Sequence, residues 1–327
     1  MSRNLATFAL LCAAFLVAIP SASAVTIDWT AVGNPGNNPD LTPKPSYGAV
    51  EYSFKISKYS VTNSQYMEFL NAKDPTGANA LQIYDSNMGE KAVHGGITYT
   101  AGNANGAKYS ILPGRQNYPV NSVNWYSALR FSNWLNNGQG NGDTETGAYT
   151  LLGGAPTPTN ATTIKRNAGA NLFLPSEDEW YKAAYYNPAT SSYFLQGTGT
   201  NTAPTAGAPT AMPNYANFNN FNKDFTPVGS YTGTTSPYGA YDMAGNISEW
   251  TETLINNGGA KDAVMRNGFY DLGQNSITSA DRYPNNPAVA AFYYGFRVAA
   301  VPEPSTFVMG ALGVLVLFAT RRFRANQ

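Results

Sequence analysis

A chain of 327 residues with 43% hydrophobic but only 12% charged residues carries apolar material for a sizeable core, so it is not a disordered polymer. Its abundance of Gly, Asn, Thr and Tyr fits a loop-rich exported protein better than a helix bundle. The formal net charge is zero; without Arg3, Glu303, Arg321, Arg322 and Arg324 near the ends, 16 bases (20 less four) face 19 acids (20 less one), so no basic stripe is available to follow nucleic acid.

The single cysteine, Cys12, sits in the N-terminal apolar run, which removes disulfides, thiolate metal sites and cysteine nucleophiles from the rest of the chain. The single histidine, His94, cannot by itself build the two- or three-histidine centre of a catalytic zinc or non-haem iron. A solvated or locally hydrogen-bonded imidazole is the expectation for it.

In chain order, Arg3 precedes an apolar run from Leu5 to Ile19 and the small-residue site Ala22-Ser23-Ala24, the pattern of a secretory signal over 1–24 cleaved by signal peptidase after Ala24. Residues 25–48, with Pro35, Pro39, Pro43 and Pro45, read as an extended lead-in rather than a packed element. The folded domain is expected over 49–300. Val50 to Tyr59 alternates through Tyr52, Phe54 and Ile56 as a half-buried strand. Thr62-Asn63-Ser64-Gln65 then offers a capping box for a helix burying Tyr66, Phe69 and Leu70.

Asp74 to Tyr118 is read as loops and hairpins. The spacing predicts a largely buried helix from Trp125 to Asn136, on the stripe Trp125, Ala128, Leu129, Ser132 and Leu135 widened by Phe131 and Trp134. Asn137 to Ala170 reads as a surface insertion. Leu172-Phe173-Leu174 is a short strand, and Ser176-Glu177-Asp178-Glu179 opens a further helix, its acids explained by capping. Val264 to Phe269 and Tyr294 to Ala299 look like closing strands whose Arg266 and Arg297 hold carboxylates within the fold.

Between these elements lies Asp242-Met243-Ala244-Gly245-Asn246-Ile247-Ser248-Glu249-Trp250. Two acidic donors, a Gly-centred turn and an aromatic anchor outline a compact site for a hard cation such as Ca²⁺; an ordinary turn beside a core Trp is the alternative. The chain ends with Val301-Pro302-Glu303-Pro304-Ser305, an apolar span over 306–319 and Arg321-Arg322-Phe323-Arg324. The span is about 21 Å long as a helix, enough to cross a bilayer only with thinning or snorkelling, and its arginines would stay cytoplasmic.

Five ordered segments resemble the formylglycine-generating enzyme (sulfatase-modifying factor) family: Ser60 to Tyr66, Pro119 to Trp125, Leu174 to Trp180, Asp242 to Trp250, and Gly295-Phe296-Arg297. The likeness runs from about Val50 to Ala300. The ending over 301–327 resembles the PEP-CTERM sorting signal, which an exosortase is thought to cut. Together with the signal peptide this implies an exported protein of a Gram-negative-type bacterial cell, in the envelope or extracellular matrix and transiently membrane-anchored at its C-terminus.

The family resemblance implies an α+β fold, a C-type-lectin-like variant with little regular secondary structure, holding structural Ca²⁺. Its first calcium would take the Asp242 and Glu249 side chains with the Gly245 and Ile247 carbonyls; a second would take Asn217, the Phe218 carbonyl and Asp224. Family oxidases hold copper with a cysteine pair in the segment matching Arg266-Asn267-Gly268-Phe269-Tyr270-Asp271-Leu272, which has no cysteine here. Related iron-dependent sulfoxide synthases need three histidines. Neither copper nor iron is therefore expected, and the reading is a non-catalytic binding module for a polysaccharide or a protein. The competing readings are an enzyme with a cysteine-free site using Asp242, Glu249 or Asp281, and a structural envelope protein.

Overall fold

The computed structural model describes residues 24–42 and 45–301; the signal segment up to residue 23 and the sorting tail from 302, with its apolar span, lie outside them. Helix α2 (Trp125–Asn136) forms where the stripe predicts it, because the Asn124 side chain accepts from the Ser127 N–H and all its residues but Asn136 are buried. Two more helices share its logic. Helix α1 (Asn63–Lys73) starts at a Thr62–Gln65 capping box and buries Tyr66, Phe69 and Leu70, and α3 (Glu177–Tyr185) starts at a Ser176–Glu179 box. Each box satisfies helix-end N–H groups that would otherwise be unpaired.

One four-stranded sheet has the order β1 (Trp29–Val32), β2 (Phe54–Ser57), β14 (Ala299–Ala300), β5 (Leu172–Phe173), all antiparallel. The second has the order β12 (Tyr283–Asn285), β11 (Ala260–Arg266), β10 (Ser248–Asn257), β13 (Tyr294–Phe296), with β10 and β13 parallel. Short ladders join β3 (Ile97–Tyr99) to β4 (Tyr109–Ile111), β6 (Tyr186–Asn187) to β7 (Ser192–Tyr193), and β8 (Thr205–Ala206) to β9 (Tyr215–Ala216). The main core packs Trp125, Phe131 and Trp180 from the helices with Ile56 and Phe173 from the first sheet and Trp250 and Phe296 from the second. The expected α+β fold with little regular structure is what is found.

Three expectations are corrected. Residues 25–48 are not an unpacked lead-in: β1 pairs with β2 from Trp29↔Ser57 to Val32↔Phe54, and Val25, Val32 and Tyr47 are buried. Pro35 sits in a turn just after the strand, and a four-residue strand shows little of its own periodicity. The insertion Asn137–Ala170 is likewise anchored, since Ala148, Tyr149, Leu151 and Ile164 are buried. Asn133 on α2 holds it through the Thr144 and Tyr149 carbonyls at 2.8 and 3.0 Å. The strand expected from Val50 to Tyr59 is confined to 54–57, with Phe54 and Ile56 buried but Tyr52 exposed.

Candidate functional site

The loop 242–247 reverses the chain through left-handed residues, Asp242 (φ 56°), Gly245 (φ 88°) and Asn246 (φ 70°). Glycine is required at 245, because a Cβ there would lie 2.3 Å from the Asn217 carbonyl oxygen. The turn directs the carbonyls of Asp242, Gly245 and Ile247 at one point. That point holds the Nδ2 of Asn267, which donates to them at 2.7, 2.8 and 3.1 Å. The Asn267 Oδ1 accepts from the Gly245 N–H at 3.0 Å, so the amide staples the loop from both sides. Trp250 anchors the end of the segment, fully buried, its Nε1 donating to the Val123 carbonyl at 2.8 Å.

The two acids of this segment have different surroundings. Glu249 is wholly buried and accepts from Arg297 Nε (2.5 Å) and Nη2 (2.9 Å), Trp180 Nε1 (2.7 Å) and Ser60 Oγ (2.6 Å). Four donors occupy the carboxylate, and a bidentate guanidinium neutralises it. Asp242 instead accepts from the Gly229 N–H at 2.7 Å. Burial pushes its carboxyl up to about 6, against the opposing effects of that N–H and of Arg297. Of the four groups implied as the first calcium's ligands, the two carbonyls face Asn267, and the two carboxylates engage Arg297 and Gly229.

The second implied set is also engaged. The buried Asn217 donates to the Asp224 carbonyl and the Asn246 Oδ1, both at 2.9 Å, and accepts from Asn222 Nδ2 at 2.9 Å. Phe218 packs its ring with Ala216, Ala244 and Ile277. The Asp224 carboxylate pairs with Arg115 (2.8 Å) and with His94 Nδ1 (3.0 Å). His94 is thus locally bonded as expected, its ring edge-on to Phe225 and Tyr270. Among the described residues no group of three or more His, Cys, Asp or Glu side chains is placed to hold a metal ion.

The remaining buried acids belong to the architecture. Arg266 pairs with Glu177 at 2.7 Å and Arg282 with the same carboxylate at 2.6 Å, while Arg166 bridges Glu179 (2.6 Å) and Glu252 (2.8 Å). The acids at the start of α3 do more than cap, and Arg266 and Arg297 hold carboxylates as expected. Burial raises Glu252 and Asp281 above the ordinary carboxylate range. Asp281 contributes its carbonyl to Arg266 Nη1 at 2.7 Å.

Sequence reasoning missed an aromatic cavity of about 280 Å³ between β10–β13 and the segment after Arg266. Phe269, Leu272, Tyr283, Tyr293 and Tyr294 line it, with Ser248 and Asn285 as polar points and no charged side chain. Phe269 and Tyr293 stack with ring centroids 4.3 Å apart and planes 10° from parallel. The run Phe292-Tyr293-Tyr294 was its one visible sequence signal. Phe269 and Leu272 fall in the segment where the resemblance calls for cysteines, so no thiolate lines this region, whose sulfur is the Met265 thioether.

Residues 30–301 match the sulfatase-modifying factor enzyme 1-like domain, and residues 300–324 match the PEP-CTERM protein-sorting motif. A serine/threonine-protein kinase pkn1 of Chlamydia caviae is 25% identical over 268 residues, which is 76% of this chain but 33% of the relative. The chain thus spans about a third of the length of such curated relatives. A hercynine oxygenase of Mycobacterium tuberculosis is 36% identical over 88 residues, 27% of this chain and 19% of that protein. Among solved structures, Treponema denticola variable protein 1 superposes with TM-score 0.55 at 18% identity, covering 86% of this chain and 98% of that one. CarF gives 0.53 at 20%, covering 86% and 100%; these likenesses support the fold alone.

The sorting motif implies export through that system and processing by an exosortase. No helix among the described residues is long and apolar enough to cross a membrane. With its family match spanning nearly the whole described domain, the chain belongs to the sulfatase-modifying factor enzyme 1-like family and carries a C-terminal PEP-CTERM sorting signal.

Proposed function

We propose that this protein is a non-catalytic, exported binding module whose ligand site is the aromatic cavity beside β10 and β13, and that its ligand is an extracellular polysaccharide. The observation that carries this reading is the lining: stacked Phe269 and Tyr293, with Tyr283 and Tyr294, form a concave uncharged wall with Ser248 and Asn285 as polar points. Sugar rings present an apolar C–H face and a rim of hydroxyls, which suits aromatic surfaces edged by amide and hydroxyl groups. The cavity holds about one ring, which makes binding to a chain end or a single exposed residue the expected mode.

A glycan array probed with the fragment 25–301, with and without Ca²⁺, tests this against Tyr293→Ala. Binding should fall at least tenfold in the variant, the loss expected for a central aromatic anchor. Glycan binding that survives Tyr293→Ala places the site elsewhere, and no binding to any glycan overturns the polysaccharide reading. The oxidase reaction is a separate control. Because the chain has no thiol from Val25 onward, a cysteine-containing sulfatase peptide with copper and oxygen should yield no hydrazide-reactive aldehyde; turnover above a no-protein control would establish an enzyme.

A further inference from the structure

We infer that the Asn267 side chain is a built-in substitute for a loop cation, and that a hard divalent cation can take its place when the amide is removed. Three carbonyl oxygens, of Asp242, Gly245 and Ile247, surround one amide nitrogen at 2.7 to 3.1 Å. A primary amide has two hydrogens, so three acceptors are served only by sharing. Its Oδ1 takes the Gly245 N–H, which fixes the amide with its positive end toward the carbonyls. This is the charge pattern a cation would answer: a concave set of carbonyl dipoles, buried, with Asn267 itself 4% exposed. The Gly245 carbonyl also accepts from the Ile247 N–H at 3.0 Å, but carbonyl oxygens crowded together with no positive group facing them are costly to bury, so either the amide or an ion stabilises the loop.

The backbone at 267 makes the exchange testable. Asn267 has φ 89°, a conformation that glycine adopts without strain, so Asn267→Gly removes the amide and leaves the turn. Asn267→Asp keeps the size and directs a carboxylate oxygen at the three carbonyls, which is untenable without a bound cation and favourable with one. Ca²⁺ takes such oxygens at about 2.3–2.6 Å, a contraction of a few tenths of an ångström from the present ring. The other partners of the loop, Asn217 and Asn246, are bonded to each other and are unaffected by either change. The inference is independent of the aromatic cavity and its ligand.

The experiment compares melting curves of the wild-type 25–301 fragment, Asn267→Gly and Asn267→Asp in chelator and in Ca²⁺, with calorimetric Ca²⁺ titration of each. The wild type should melt at one temperature in both buffers and take up no Ca²⁺ at the loop. Asn267→Asp should melt lower in chelator and rise by roughly 5 °C when Ca²⁺ is well above its Kd. Asn267→Gly should show the same direction with a smaller rise, since it adds no charged ligand. A variant that folds only with Ca²⁺ supports the inference most strongly. It is overturned if wild-type melting depends on Ca²⁺, if neither folded variant responds, or if both variants fail to fold with and without the ion.

Discussion

Ser248 and Glu249 are adjacent on β10, yet one lines the aromatic cavity and the other sits in a closed charged hub. Strand alternation places them on opposite faces, and the two faces are built on different principles. On the hub side every oxygen of Glu249 has a donor, and Arg297 also donates to the Ser57 and Tyr241 carbonyls at 3.1 and 3.0 Å. On the cavity side nothing is charged, and Ser248 and Asn285 are the polar points. In a chain with 12% charged residues, several of the buried charges tie the sheets to α3 and the termini of strands. The cavity wall is made largely from rings.

Breaking the hub should have the largest effect on the domain. Glu249→Ala strands a buried guanidinium, and Arg297→Ala strands a buried carboxylate; each should lose about 3–5 kcal/mol of stability by denaturant unfolding. The loss should be the same in Ca²⁺ and in chelator, because four protein donors already engage the Glu249 carboxylate. A change below about 1 kcal/mol would mean that the hub is not the structural centre described here.

The other acid of the loop sharpens the contrast, because its expected effect has the opposite sign. Burial raises Asp242 to about 6 from 3.8, so folding favours its protonated form. Its ionisation weakens the fold progressively as pH rises from about 4 to about 6, and below about 4 the penalty is absent. A shift of this size corresponds to on the order of 3 kcal/mol. Asp242→Asn can still accept from Gly229; it should therefore stabilise the domain at pH 7, leave it unchanged at pH 3.5, and flatten the slope between. A variant no more stable at pH 7 than the wild type would show that the charged carboxylate is compensated by another group.

How much of this was legible in the sequence follows from distance along the chain. The capping boxes at Thr62 and Ser176 and the stripe of α2 are local patterns, and all three helices appear where those patterns start them. The loop from Asp242 to Trp250 was visible as a turn with an aromatic anchor, which is also local. Its protein partners were not: Asn267 is 22 residues from Gly245 and Arg297 is 48 from Glu249, and only the fold brings them together. The strand β10 was hidden because its pairing with β11 shifts register between Trp250 and Leu254, which breaks the alternation. The edge strand β1 is set by its partner β2 and carries too few residues to announce itself.

The smallest expected effect tests that N-terminal edge. The Val25 backbone N–H donates to the Gln139 Oε1 at 2.6 Å, and the Gln139 Nε2 donates back to the Val25 carbonyl at 2.8 Å, while the Val25 side chain enters the main core. One carboxamide therefore reads both backbone groups of the residue that follows the expected signal-peptidase site. In a chain that retains Ala24 the donor is an ordinary amide, and Gln139→Ala should cost about 1 kcal/mol, the net worth of neutral hydrogen bonds. In a chain cleaved after Ala24 the same nitrogen is an α-ammonium, and the charge-assisted bond raises the cost to about 2 kcal/mol. Mass spectrometry of the exported protein fixes the N-terminus as Val25 or not, and unfolding of the cleaved and extended forms with and without Gln139→Ala gives the difference. Equal losses in the two forms would mean that Gln139 holds the strand in place without responding to the new terminus; no loss in either would mean that β1 is secured by its pairing with β2 and by Val32 alone.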